Sequence, residues 1–280
     1  MINLAKNNDE LYRFKLAKKL LSIASNIAMN NFEVKKKVST KEDFSLVTEV
    51  DKMIERELVR LISDDFPYDG IVGEEATNKI SKNGYQWTID PIDGTIAYAH
   101  NLPLFSTLIG LTYKGRTILG IASFPALSKI FFAVDGQGAY CIKDNLESKI
   151  YTKKIFSRKQ FLQRQLIFYH SGEEYFKKES DKSIFHRVKS FSKYVRSIGD
   201  AYGHMMVAQG NSDIMIDTVL KIWDIIPLKI ILDESGNVFF TKPYLNLENR
   251  LQNYFAISCT SRKLLNTIMS ESKKETSNHN

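Results

Sequence analysis

The chain has 280 residues, 43% of them hydrophobic, with a formal net charge of +7 and a pI near 9.1, which is enough apolar material to bury a core in one large domain or two modest ones. No apolar run approaches the roughly 20 residues needed to cross a bilayer, and the polar stretch from Met1 lacks the apolar centre of a secretion signal, so a cytoplasmic location without membrane contact is expected. Cys141 and Cys259 lie far apart without a partner motif; they exclude a zinc site or disulfide framework and read as packing residues.

Apolar residues at Leu11, Phe14, Leu20, Leu21, Ala24, Ile27 and Ala28 recur at helical spacing and predict a first helix over 8–31. After a Lys/Ser/Thr-rich loop, Met53, Ile54, Leu58, Leu61 and Ile62 mark a second helix, with Asp51 near its start, where an N-cap carboxylate is at home. A turn over 64–70 leads to a short strand, Ile71 to Gly73, that breaks into Glu74 and Glu75. Trp87, Thr88 and Ile89 then form an apolar β-branched run that is expected to end in a turn at Asp90-Pro91-Ile92-Asp93. Pro91 keeps Asp90 out of the α region, so Asp90, the Ile92 carbonyl and Asp93 can aim at one point. Converging hard oxygens suit Mg²⁺ better than zinc. Gly94 permits close backbone approach, and Thr95 stands where a helix would begin with its N–H groups outward, which makes an anion site beside a cation site.

Runs from Ser106 to Tyr113, Thr117 to Phe124, Ile130 to Val134 and Tyr140 to Ile142, punctuated by Lys114-Gly115, Pro125-Ala126 and Asp135-Gly136, predict an antiparallel sheet. Residues 143–165 are charged and weakly patterned, and a boundary is placed there, between an N-terminal α+β half (1–145) and a C-terminal α/β half (146–270). In the second half strands alternate with helices. They are a strand from Leu166 to Tyr169, a helix from about Glu173 to Phe191, a strand from Tyr194 to Ile198 and a helix from Gly199 to about Gln209. A strand from Asp213 to Ile216 follows, then Ile222-Trp223-Asp224 opening an apolar helix from Ile225 to Leu232. Pro227 is read as lying in the first turn of that helix and Gly236 as its C-terminal cap. Strands at Val238 to Phe240 and Tyr254 to Ile257 and a helix from Ser261 to Met269 close the chain, and 271–280 reads as a disordered tail.

Gly73-Glu74-Glu75, Asp90-Pro-Ile-Asp93-Gly-Thr95 and Trp223-Asp224, in this order and spacing, resemble the inositol monophosphatase family from about residue 10 to 265. The resemblance implies an αβαβα five-layered sandwich, usually a homodimer, that hydrolyses phosphomonoesters with two or three Mg²⁺ ions. Carried over by position, Glu74, Asp90, the carbonyl of Ile92, Asp93 and Asp224 would ligate metal. Glu74 and Thr95 would orient the attacking water with Asp51 hydrogen-bonded behind Thr95, and the N–H groups of Gly94 and Thr95 would hold the phosphate. Two departures stand out: Leu46 replaces the usual Pro in the loop carrying Lys41, and Asn101 replaces a frequent Gly, at a position where Asn tolerates αL.

Substrate choice falls to residues outside the metal cluster. Gly199-Asp200-Ala-Tyr202-Gly203 is similar to the histidinol-phosphate phosphatase branch, and Asp200, Asp217 and Ser171 are the expected substrate contacts, an extra carboxylate suiting a cationic amine or imidazole. Asp200 as a plain helix cap is the competing reading. His170 and His204 read as structural. Inositol 1-phosphate is the alternative substrate, a bisphosphate nucleotidase a further one, and a non-catalytic binding protein the reading from another class. The positive charge invites nucleic acid, but the Lys35–Lys37 and Lys153-Lys154 clusters lack interleaved aromatics for base stacking.

Overall fold

A computed structural model describes residues 4–34, 38–40, 46–75, 77–152, 166–245 and 252–270. The first periodic stretch forms α1 (Asn8–Asn30), whose start is capped by the Asn7 side chain accepting the Glu10 N–H at 2.8 Å. A two-stranded ribbon, β1 (Val38–Thr40) with β2 (Leu46–Thr48), leads into α2 (Glu49–Asp65). Thr48 is the N-cap of α2, and Asp51 takes the third helical position of a capping box instead of the cap itself. Ile54, Leu58, Leu61 and Ile62 point inward, whereas Met53 is exposed and Glu55 is buried in the same face. The Lys41 loop and the 271–280 tail lie outside the described residues.

The eight-stranded sheet is built from β3 (Gly70–Gly73), β4 (Asn78–Lys79), β5 (Tyr85–Asp93), β6 (Ser106–Tyr113), β7 (Arg116–Phe124), β8 (Lys129–Val134), β9 (Gly138–Lys143) and β10 (Leu146–Ile150), in the order β10-β9-β8-β7-β6-β5-β3-β4. Only the β3–β5 pair is parallel. Between β5 and β6 lies a five-residue helix, α3 (Thr95–Ala99). The five-stranded sheet orders β12 (Ser192–Ser197), β11 (Leu166–His170), β13 (Ile214–Leu220), β15 (Gln252–Cys259) and β14 (Val238–Leu245), with α4 (Glu179–Phe191), α5 (Asp200–Ala208), α6 (Ile222–Glu234) and α7 (Arg262–Ser270) as its helices.

Three buried clusters fill the gaps. One lies between α1/α2 and the large sheet, one between the sheets around α5 and α6, and one between the small sheet and α4/α7. The result is the five-layered αβαβα arrangement. Because α6 is covered on both sides, it is apolar almost all round. It begins at Ile222, so Pro227 stands in its second turn and not its first, at the cost of one i→i−4 bond to Trp223. The stretch from Glu173 divides into a 3₁₀ turn, Glu173–Tyr175, and α4, because Phe176 turns inward and is buried between them. Cys141 and Cys259 are buried free thiols. No helix among the described residues is long and apolar enough to cross a membrane.

Candidate active site

The Trp87-Thr-Ile run does not end a strand at Asp90, as its composition suggested. β5 continues to Asp93, and its register against β6 slips, so that Asp90 faces Leu108 while Asp93 faces Ser106. Three residues on β5 therefore match two on β6, a one-residue bulge. Side chains alternate faces along a strand, so residues three apart would ordinarily point to opposite sides; the bulge brings Asp90 and Asp93 to the same side. Pro91 is suited to this unpaired position because it has no N–H to lose, and its carbonyl accepts the Thr107 hydroxyl at 2.9 Å.

Asp224 reaches the same point from the start of α6, where its Oδ2 accepts the Lys221 N–H at 2.7 Å. Oxygens of Asp90, Asp93 and Asp224 lie within 4.8 Å of one another, and all three side chains are buried. Asp93 Oδ2 is held by the Ser106 hydroxyl at 2.8 Å and by the Ala201 N–H at 3.0 Å, so the first turn of α5 braces a residue of the large sheet. Glu74 stands beside this group, its N–H donating to the Ile89 carbonyl at 3.1 Å, the residue just before Asp90.

Gly94 adopts φ 81° and turns the chain from β5 into α3. Thr95 Oγ1 lies 3.1 Å from the Ile92 carbonyl and 3.4 Å from Asp51 Oδ1. Asp51, fully buried, is fixed by the Thr48 hydroxyl and by the Thr48 N–H at 3.0 Å. With only five residues, α3 contributes little macrodipole, so phosphate binding here depends on individual N–H groups.

Burial sets the protonation of the cluster. It pushes Asp93 up to about 7, and Asp90 and Asp224 well above the usual carboxylate range, with the charges of Glu74 and of the other aspartates adding to the effect. Asp51 rises to about 6 through burial, with Glu74 contributing. Asp90 Oδ1 and Asp224 Oδ1 are buried without a hydrogen-bond partner. Orphaned hard oxygens among mutually repelling carboxylates fit a hard divalent cation, which would ligate the oxygens and relieve the repulsion.

The three expected substrate contacts gather next to this cluster. Asp200 opens α5 at φ 56°, behind the N-cap Gly199. It makes no cap; its Oδ2 comes within 3.0 Å of where a Cβ on Gly94 would sit. Burial and the charges of Asp93, Asp217 and Asp224 hold its carboxyl well above the ordinary range. Asp217 is buried, with Oδ1 accepting the Thr218 N–H at 2.7 Å and Oδ2 lying 3.8 Å from His204 Nε2. Ser171 Oγ is buried without a partner, and its N–H donates to the Ile216 carbonyl at 3.2 Å. His170 and His204 are both buried; His204 Nδ1 meets Ser258 Oγ at 2.5 Å.

A model of the inositol monophosphatase family matches residues 7–273. The chain belongs to the inositol monophosphatase family. As a member of that family it is a phosphatase, a phosphoric monoester hydrolase. It is similar to a histidinol-phosphatase of Chlorobaculum parvum, at 31% identity over 81% of this chain and 84% of that protein. It is also similar to inositol monophosphatase 1 of Homo sapiens, at 26% identity over 81% of each. Its fold superposes on the IMPase of Thermotoga maritima with a TM-score of 0.73 at 25% identity, over 92% of this chain and 98% of that one.

Three residues around the site escape the motif reading. Ser106 binds Asp93 and Thr48 binds Asp51, both short-range consequences of the bulge and the capping box. Glu55 is the third, and its signal is a charged residue inside the apolar stripe of α2, one turn after Asp51.

Proposed function

We propose that the chain is a Mg²⁺-dependent phosphomonoesterase acting on histidinol phosphate, a small phosphorylated amino alcohol. The observation that carries the choice is Asp200. A non-glycine residue at φ 56° at the head of a helix costs on the order of 1 kcal/mol, and such strain is kept where the side chain is needed. Asp200 and Asp217 add two carboxyl groups to those of the metal cluster, and a cationic ammonium or imidazolium would supply the charge that burial denies Asp200 and so favour its ionised form. The similarity to a histidinol-phosphatase supports this reading. Inositol 1-phosphate is the second reading, supported by the human relative.

Asp90, Asp93, Asp224, Glu74 and the Ile92 carbonyl would hold the cations. When bound, Mg²⁺ neutralises phosphate oxygens and makes water in the site easier to deprotonate. The protein's own groups do the rest. Glu74 and the Thr95 hydroxyl orient a water in line with the phosphorus–ester bond, and Asp51 keeps the Thr95 hydroxyl aimed. The N–H groups of Gly94 and Thr95 hold the phosphate while the water oxygen bonds to phosphorus, the phosphorus–ester bond breaks, and a proton from that water ends on the ester oxygen, which departs as the alcohol. Phosphate release from histidinol phosphate and inositol 1-phosphate, measured side by side with Mg²⁺, tests the substrate. A higher kcat/KM for histidinol phosphate is expected, and the reverse order overturns the choice.

A further inference from the structure

Helix α2 presents Asp51 and Glu55 one turn apart on its buried face, and Glu55 is only 2% exposed. A carboxylate placed there needs partners, and no ion pair of Glu55 is found among the described residues. Its oxygens serve the backbone instead: Oε2 accepts the Glu75 N–H at 2.7 Å and Oε1 accepts the Thr77 N–H at 3.1 Å. The turn after β3 is closed over this carboxylate by the Gly73 N–H donating to the Thr77 carbonyl at 2.7 Å. A Cβ on Gly73 would stand 2.5–2.6 Å from the Glu55 carboxyl atoms, so only glycine lets the turn come this close. Glu74 stands in this turn between Gly73, tied to Thr77, and Glu75, held by Glu55, with its own N–H anchored to Ile89.

We propose that Glu55 is a positioning residue for Glu74. It holds the N–H groups of Glu75 and Thr77 just after Glu74, and with Gly73 tied back to Thr77 and packed against the same carboxyl it fixes where the Glu74 carboxylate stands against Asp90, Asp93 and Asp224. Asp51, four residues earlier on the same rigid helix, performs the matching task for Thr95. The helix thus sets the spacing between the two groups that flank the attacking water. This inference rests on the reading of Glu74 as a metal ligand.

The test compares Glu55→Gln, Glu74→Gln and Leu58→Ala, the last loosening α2 without touching the turn. Thermal melts in EDTA, calorimetric titration with Mn²⁺, and kcat and KM are measured for each. The amide of Glu55→Gln turns an N–H₂ toward a backbone N–H, so one clamp is lost while the volume is kept. Expected for Glu55→Gln are Mn²⁺ binding and kcat each about 10–100-fold lower, KM within about twofold, and an EDTA melt near wild type, as for groups that orient metal ligands elsewhere. Leu58→Ala is expected to melt lower yet bind Mn²⁺ as wild type does. If Glu55→Gln melts below the assay temperature, Glu55→Asp, which keeps the charge and shortens the reach, carries the same expectation. Wild-type Mn²⁺ affinity and kcat in the Glu55 variant, with both lost in Glu74→Gln, overturn the positioning role. Equal losses in Leu58→Ala overturn it as well. If Glu74→Gln retains both, the underlying ligand reading fails instead.

Discussion

Asp93→Asn removes one charge from the buried cluster and leaves its surroundings intact, because the asparagine carbonyl can accept the same bonds from Ser106 and Ala201 that Asp93 Oδ2 accepts at 2.8 and 3.0 Å. Burial raises Asp93 from 3.8 to about 7. At about 1.4 kcal/mol per pH unit, forcing that carboxyl to ionise in the metal-free fold costs up to ~4 kcal/mol. The folded state holds this proton more tightly than the unfolded state, so Asp93 withdraws stability as pH rises from about 4 to about 7. The variant escapes that loss. In EDTA it should match wild type near pH 4 and exceed it progressively up to pH 8, where the gain corresponds to a rise in Tm on the order of 10 °C. With Mg²⁺ the order reverses in function: wild type is stabilised and active, while the variant gains less from the metal and turns over at least ~100-fold more slowly. Melting curves at stepped pH, with and without Mg²⁺, read all of this. A variant no more stable than wild type at pH 8 in EDTA, or one with undiminished metal-dependent turnover, refutes the reasoning.

Other outcomes follow from the same geometry. Thr95→Ala, which removes the hydroxyl held between Ile92 and Asp51, should lower kcat about 100-fold while KM changes little, and Thr95→Ser should recover most of it. Asp200→Asn tolerates the left-handed backbone and should stay folded. Steady-state kinetics should show KM for histidinol phosphate up about tenfold, near 1.4 kcal/mol, with a smaller change for inositol 1-phosphate. Protons compete with the cation at Asp93, raised to about 7, so the Mg²⁺ concentration giving half-maximal stabilisation should climb about tenfold or more from pH 8 to pH 5.5. A midpoint independent of pH contradicts the ligand role of these carboxylates.

The layers of this fold were readable because periodicity reports burial. Leu20, Leu21, Ala24 and Ala28 recur at helical spacing since one face of α1 covers a sheet, and α6 reads as continuously apolar since it is covered on both sides. Asp90, Asp93 and Asp224, whose oxygens lie within 4.8 Å of one another, were readable as one group because their order and spacing carry the family resemblance, each at the end or start of an apolar run. What stayed hidden depends on register and backbone angle, which side-chain composition does not encode. The β5 bulge exists only relative to β6, so Asp90-Pro-Ile-Asp93 looked like a turn instead of a strand. Thr48 takes the cap because two residues three apart both suit a helix start, and the hydroxyl lies one turn earlier while Asp51 completes the capping box. Asp200 reads from sequence either as a substrate contact or as a plain cap, and its backbone separates the two: Gly199 holds the N-cap, while Asp200 stands at φ 56° and makes no cap hydrogen bond. Glu55 carries no sequence signal of its role beyond its place in the apolar stripe, because a lone glutamate in a helix usually faces water and its partners here are backbone N–H groups of a distant turn.

The claim on which the rest depends is that this carboxylate cluster hydrolyses a phosphomonoester only when it holds a divalent cation. The most direct measurement is inorganic phosphate release from histidinol phosphate near pH 8, first in EDTA and then with Mg²⁺ restored in excess. Release indistinguishable from background in EDTA, and recovered when Mg²⁺ is returned, is the predicted result. Turnover that proceeds equally well in EDTA, or no release from any phosphorylated alcohol with Mg²⁺ present, would contradict the account.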